Sequence, residues 1–202
     1  MNDASLDLRA RRRLDTRQEI HRVALELFEA QGVRETTVQQ IAERAGVSSR
    51  TFFRHFAAKE QAGLPGHHRL LRVIEELDLS GADLPSALRA VESAAEGVMD
   101  RRNDPELAEH RRVALLLARE PELRALAASQ ERELVARLRA RLSEGLEDCE
   151  PTAALLAAEV AVAVWRACWE RWGELAVAGH EADPAELYRD CREELHRVVG
   201  RP

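Results

Sequence analysis

Between Thr36 and Lys59 the chain gathers side chains that suit anions and hydrogen-bonding edges. Hydroxyls stand at Thr36, Thr37, Ser48, Ser49 and Thr51, guanidinium groups at Arg50 and Arg54, and an imidazole at His55. Lys59 closes the segment and is the only lysine in the chain. A fixed positive charge attracts phosphate, and a guanidinium fork also matches the paired O6 and N7 acceptors of guanine. No bond-making constellation accompanies these groups. The chain holds no G-x-S-x-G, G-x-G-x-x-G, P-loop or H-E-x-x-H pattern, so recognition is favoured over catalysis.

Such side chains need a scaffold, and the sequence supplies helices for it. Ile20, Val23, Ala24, Leu27 and Phe28 recur at helical spacing from about Asp15, and Gly32 supplies a stop. A second, short helix follows, with Val38, Ile41, Ala42 and Ala45 as its buried stripe. Its start carries two overlapping capping boxes, Thr36-x-x-Gln39 and Thr37-x-x-Gln40. After Ala45-Gly46, Ser48 caps a third helix. On it Phe52 and Phe56 fall one turn apart, opposite Ser49, Arg50, Phe53 and Arg54. Three short helices, a glycine turn and a polar outer face on the third describe a helix-turn-helix.

The segment from Thr36 to Gln61, TTVQQIAERAGVSSRTFFRHFAAKEQ, resembles the DNA-binding signature of the TetR family. The matching places are Thr36 and Thr37, Ile41-Ala42, Ala45 to Ser48, Phe53 to Phe56, and Lys59-Glu60. The resemblance covers roughly residues 15–61. It implies that Ser49, Arg50, Thr51 and Arg54 face base edges or nearby phosphates in the major groove. It implies that Thr37, His55 and Lys59 secure the backbone. Arg50 either reads guanine or touches phosphate, as about half of protein–DNA hydrogen bonds do. Where the family usually has Tyr, this chain has Phe53, so a hydroxyl contact to phosphate is missing there.

Composition agrees with an all-α protein. The 202 residues are 45% hydrophobic and 33% charged, with aromatics at 4%. Ala, Leu, Arg and Glu dominate, all strong helix formers. The formal net charge of -6 argues against nucleic acid when taken whole. Its distribution does not: residues 1–60 hold 11 Lys and Arg against 9 Asp and Glu, and the remainder 19 against 27. That asymmetry is compatible with a DNA reader ahead of an acidic body. The three cysteines, Cys149, Cys168 and Cys191, form no CxxC pair and read as reduced thiols. His67-His68 cannot converge on a metal, since adjacent helical residues point about 100° apart. Neither a metal nor a cofactor is expected, and with no signal-peptide pattern the expected location is cytoplasmic.

Residues 1–14, with Arg9, Arg11, Arg12 and Arg13, read as a flexible arm. The helix-turn-helix domain occupies 15–61, and residues 62–202 form a larger helical domain for ligand binding and dimerisation. Pro65-Gly66 is expected to interrupt the first of its helices, which runs through Leu70 to Leu77. Start signals then recur at Asp83, Asp104-Pro105, Pro121, Pro151 and Asp183-Pro184. Glu159 and Arg166 interrupt the apolar run from Pro151 to Trp169, which argues for a buried helix rather than a membrane span. The family resemblance implies a homodimer through the last two helices, near-palindromic operator DNA as partner, and a small-molecule effector that releases a repressor.

Trp165, Trp169 and Trp172 share one stripe and either pack in the core or dimer or line the effector pocket. Pro121-Glu122-Leu123, Phe-Phe-Arg and the Trp-ending penultimate helix loosely resemble regulators with an acyl-CoA-like ligand domain. The effector is therefore expected to be acyl-CoA-like or another apolar ligand. Arg101, Arg102, Arg111 and Arg112 would meet its phosphates or simply form solvated helix faces. A rival reading is a helical adaptor whose helix-turn-helix no longer binds DNA.

Overall fold

A computed structural model describes residues 3–64, 66–100 and 107–200. Among them there are ten helices and no strand. Pro65, Asp104-Pro105, Arg101 and Arg102 lie outside the described residues, as do the side chains of Arg9, Arg11, Arg12, His67 and His68. The chain divides into two compact units. The first comprises residues 1–65 with 119–126, and the second comprises 66–118 with 127–202.

In the first unit, α1 spans Asp3–Glu35, α2 Val38–Arg44, α3 Ser49–His55 and α4 Lys59–Gly63. The expected stripe of α1 is the core: Ile20, Val23, Ala24 and Phe28 are almost wholly removed from solvent. The regular helix breaks at Gly32, whose φ of 82° suits a residue without Cβ. At the other end the expectation needs correction. Described backbone is helical from Asp3, so residues 3–14 of the expected arm are helix. A run of Ala, Leu and Arg has high intrinsic helicity and needs no apolar stripe to extend a helix already nucleated downstream.

The turn between α2 and α3 follows from local chemistry. Gly46 takes a φ of 66°, and the Val47 N–H returns to the Ala42 carbonyl at 2.9 Å. Phe52 and Phe56 are buried with ring centres 5.8 Å apart, and α3 packs on α2, whose Ile41 and Ala42 are also buried. Leu123, in the first turns of α8 (Pro121–Gly145), is fully buried in this unit. A Cβ at Gly63 would meet Phe28 at 2.9 Å and Leu123 at 3.4 Å, so that approach requires glycine.

The second unit holds α5 (Gly66–Glu76), α6 (Leu84–Met99), α7 (Leu107–Arg119, up to Ala118), the rest of α8, α9 (Pro151–Val177) and α10 (Pro184–Val199). Asp83 and Asp183 cap α6 and α10 as their spacing predicts, accepting from Ser86 and from Ala185 and Glu186. α9 packs on α10 and α6 and buries Ala154, Ala158, Trp165, Cys168 and Trp172. It is long and apolar enough to cross a membrane by length and composition. Here it is a core helix, although Leu156, Val160 and Val177 along it stay exposed. Arg192 bridges Glu92 at 3.0 Å and Glu96 at 3.5 Å, and Arg189 meets Glu96 at 2.9 Å, tying α10 to α6. Cys168, Cys149 and Cys191 are free thiols. Burial, then the neighbouring Cys191, pushes the Cys168 thiol up to about 12, so it stays protonated and unreactive.

Candidate nucleic-acid interface

α3 is held so that one face is core and the other is solvent. Ser48 caps it, its Oγ accepting from the Thr51 N–H at 3.1 Å, and the two hydroxyls lie 3.0 Å apart. Phe52 is fully buried, while Ser49, Arg50 and Arg54 are exposed. Phe53 is 56% exposed, an unusual position for so large an apolar ring, and it packs edge-on to Phe52 at 5.5 Å. Ser48, Ser49, Arg50, Phe53 and Arg54 thus share an open surface at α3, with Thr51 half-buried beside them.

At the start of α2 the two candidate caps separate. Thr37 is the cap: its Oγ1 accepts from the Gln40 N–H at 3.2 Å, and Gln40 Oε1 accepts from the Thr37 N–H at 2.8 Å. Thr36 is fully buried and donates its hydroxyl to the Gly32 carbonyl at 2.8 Å. Thr37 therefore lies at the surface, and Thr36 works inside the domain.

Lys59 has a task that its sequence context did not reveal. Its ammonium donates to the carbonyls of Val33 at 2.7 Å, Thr36 at 2.8 Å and Arg34 at 3.3 Å. These oxygens lie at and just beyond the end of α1, where helix carbonyls run short of regular helical partners. Three donors on the ammonium meet three acceptors, so Lys59 closes α1 and anchors the start of α4.

His55 ends α3 and is half-buried. Burial, then Arg13, Arg17 and Arg54, hold its imidazole below the usual histidine range, which favours the neutral ring. Arg17 donates through Nη1 to the His55 carbonyl at 2.7 Å, and its guanidinium sits 4.2 Å from the centre of the Phe56 ring. Arg17 is not among the residues expected from the sequence to serve this surface. Its spacing from Ala24 and Phe28 on the buried stripe was the available signal. His21, on the same stripe, is buried with Nδ1 2.5 Å from the Ala62 carbonyl.

The comparisons with known proteins bear on this arrangement. The model of bacterial regulatory proteins of the tetR family matches residues 20–61, the whole of the helix-turn-helix just described. MftR of Mycobacterium tuberculosis, named for transcriptional regulation of mycofactocin biosynthesis, is 33% identical over 138 residues, covering 67% of this chain and 69% of MftR. This chain belongs to the TetR family. TcmR of Streptomyces glaucescens, an HTH-type transcriptional regulator, is 39% identical over 140 residues, or 65% of this chain. The chain spans 60% of TcmR's length. In fold, a TetR/AcrR-type regulator from Aquifex aeolicus superposes with a TM-score of 0.51 at 21% identity, covering 91% of this chain and 99% of that one.

As a member of that family the chain has its helix-turn-helix in the first unit and a helical body in the second. Within the body, Trp165 and Trp172 are buried and Trp169 is half-buried. Their rings form an edge-on series, 5.9 Å from Trp165 to Trp169 and 5.3 Å on to Trp172. Trp165 also meets Tyr188 at 6.4 Å, and Trp172 donates its indole N–H to the Ala182 carbonyl at 3.3 Å. A separate cleft of about 240 Å³ lies between α8 and α9, with Glu131, Arg132, Glu159 and Arg166 over Val135 and Val162. Arg166 and Glu131 pair across it at 3.4 Å, and burial raises the Glu131 carboxyl. Arg111 and Arg112, expected to meet a ligand phosphate or solvent, are half-buried on α7.

Proposed function

We propose that this protein is a homodimeric repressor that reads a near-palindromic operator with α3 and leaves it when a small apolar effector binds the helical body. The observation that carries this reading is the exposed set on α3, Arg50, Phe53 and Arg54, on a helix fixed from behind by Phe52 and Phe56. Ser49, Thr51, Thr37 and Ser48 supply nearby hydroxyls for phosphates. Thr36 and Lys59 contribute through the fold, because their polar atoms are committed inside the domain.

Dimerisation is supported by the apolar residues left uncovered on the last two helices. Leu156 and Val160 lie one turn apart on α9, with Val177 further along and Val198 and Val199 at the end of α10. Exposed apolar surface of that kind marks an association site, and an isologous pair would present two α3 helices to two half-sites. For the effector, an acyl-CoA-like or other apolar molecule is our reading. Trp169 is the most exposed indole of the three and the one best placed to meet it. Such a regulator works in the cytoplasm, where its DNA is.

The test is a mobility-shift titration with DNA from the upstream region of its own gene, with and without effector candidates. Candidates that raise the thermal unfolding midpoint are expected to weaken that complex, with coupling of about 1–3 kcal/mol. Tight effector binding at constant DNA affinity would contradict release, and absence of a shift on any upstream fragment would favour the adaptor reading.

A further inference from the structure

Beside the recognition helix, cationic side chains from α1 and α3 converge on a single cleft. It has a volume of about 350 Å³ and is lined by Arg13, Leu14, Arg17 and His55. Arg13 and Arg17 are one helical turn apart on α1, a spacing at which like charges repel. Among the described residues no carboxylate lines the cleft to offset them. Arg17 is also partly desolvated: one terminal nitrogen serves the His55 carbonyl, and its face rests on Phe56. The other terminal nitrogen, Nη2, is buried without a hydrogen-bond partner among the described residues. A buried charged donor left unmade is costly, and an oxygen of an anion would satisfy it.

We propose that Arg13 and Arg17 join His55, for which the family resemblance already implies a backbone contact, in one phosphate site for the DNA backbone, placed beside the half-site that α3 reads and separate from the outer face of that helix. The proposal rests on the DNA-binding reading above. A phosphodiester suits the cleft because it brings two free oxygens for two guanidinium groups, which bind phosphate in charge-assisted pairs. DNA is favoured over a free anion because the cleft ends at His55, the residue after Arg54, whose charge acts on the same imidazole. A strand lying across Arg50 and Arg54 continues past His55 toward α1. Arg17 then acts twice, positioning the end of α3 through the His55 carbonyl and meeting the phosphate with Nη2.

The imidazole gives the site a pH dependence. In the free protein the groups facing His55 among the described residues are Arg13 and Arg17 from α1 and Arg54 from α3, all positive, and with burial they favour the neutral ring. A phosphate between them reverses the local sign and raises the ring's affinity for a proton. DNA binding therefore takes up a proton. Affinity is greatest below the free-state pKa, declines as pH rises through the window between free and bound values, and is lowest above the bound value.

The experiment uses full-length protein, a mixed-sequence 30-base-pair duplex and the upstream-region duplex, measured by fluorescence anisotropy from 50 to 200 mM KCl. Arg13 is exposed, so Arg13→Gln is expected to leave thermal unfolding unchanged. It is expected to weaken both duplexes alike, roughly three- to tenfold, and to reduce the slope of log K against log salt by about 0.9 per subunit. His55→Gln is expected to flatten the decline in affinity between pH 5.5 and 8. Arg17→Lys keeps the charge and loses the fork, and is expected to weaken both duplexes without the change in slope. Wild-type protein that binds while Arg13→Gln binds equally, with the same slope, would overturn this site alone. Wild-type protein that binds neither duplex would overturn the DNA reading together with the site. Inorganic phosphate at 10 mM, followed by the His55 ring signals in NMR, provides the remaining arm. Signals that move with phosphate in wild type, alongside duplex affinity insensitive to Arg13→Gln, would assign the cleft to a free anion instead.

Discussion

The Lys59 ammonium lies 2.7 Å from the carbonyl oxygen of Val33, and the bond joins the start of α4 to the end of α1 across 26 residues of sequence. Lys59→Met keeps much of the side-chain volume and removes the charge and all three donors. It is expected to lower the unfolding free energy by about 2 kcal/mol, within the range for bonds to charged groups. Urea denaturation measures this directly. Duplex affinity, corrected for the folded fraction, is expected to hold. A fully stable variant that instead lost about one unit of salt slope would make Lys59 a phosphate contact.

Arg50 stands exposed on α3, with no hydrogen bond or ion pair among the described residues. If it reads guanine, Arg50→Ala costs about 1–3 kcal/mol and relaxes preference at one base pair per half-site. Selection of binding sites from a random duplex pool, before and after the substitution, gives the comparison. Equal weakening on every sequence would move Arg50 to the backbone.

Phe53 offers a gain rather than a loss. Its ring is 56% exposed and is held edge-on by Phe52, so Phe53→Tyr adds a hydroxyl to a ring already in place. A hydrogen bond to a charged acceptor is worth about 1.5–3 kcal/mol when well made. Operator and scrambled DNA are expected to tighten together, with folding stability unmoved. Loss of operator binding alone would mean that the ring touches a base.

The exposed apolar pair on α9 tests the assembly. Leu156→Glu combined with Val160→Glu places two charges where a second subunit would pack, and is expected to give monomers in analytical ultracentrifugation at micromolar concentration. The monomer is expected to keep its helical circular dichroism, because both residues already face solvent in one subunit. Dimers that persist in the double variant would place the interface elsewhere.

Much of the architecture was legible because its determinants are local. The stripe of Ile20, Val23, Ala24, Leu27 and Phe28, the stop at Gly32, the turn at Gly46 and the caps at Ser48, Asp83 and Asp183 all act within one or two turns of chain. Helix starts at Pro121, Pro151 and Pro184 follow for the same reason. The exposed face of α3 was legible too, since burying Phe52 and Phe56 leaves Ser49, Arg50, Phe53 and Arg54 outward by helical geometry alone. The amino-terminal extension of α1 was misjudged, because the expectation weighed the missing apolar stripe above a propensity that was also local.

Other assignments depended on which segments meet in space. Thr36 and Thr37 both fit a capping box, and the packing of α2 against the end of α1 decided between them by burying Thr36 on the Gly32 carbonyl. Arg17 and His55 are 38 residues apart, so their cleft exists only once α3 is docked on α1. The three indoles share a stripe in any helix, but the position of α10 buries Trp165 on Tyr188, and the Ala182 carbonyl holds Trp172. Residue type and spacing determined the helices and their faces, because helical hydrogen bonds close within four residues. Tertiary contact decided which polar groups are consumed by the fold and which remain for a partner, because a buried donor binds whichever acceptor the packing brings to it.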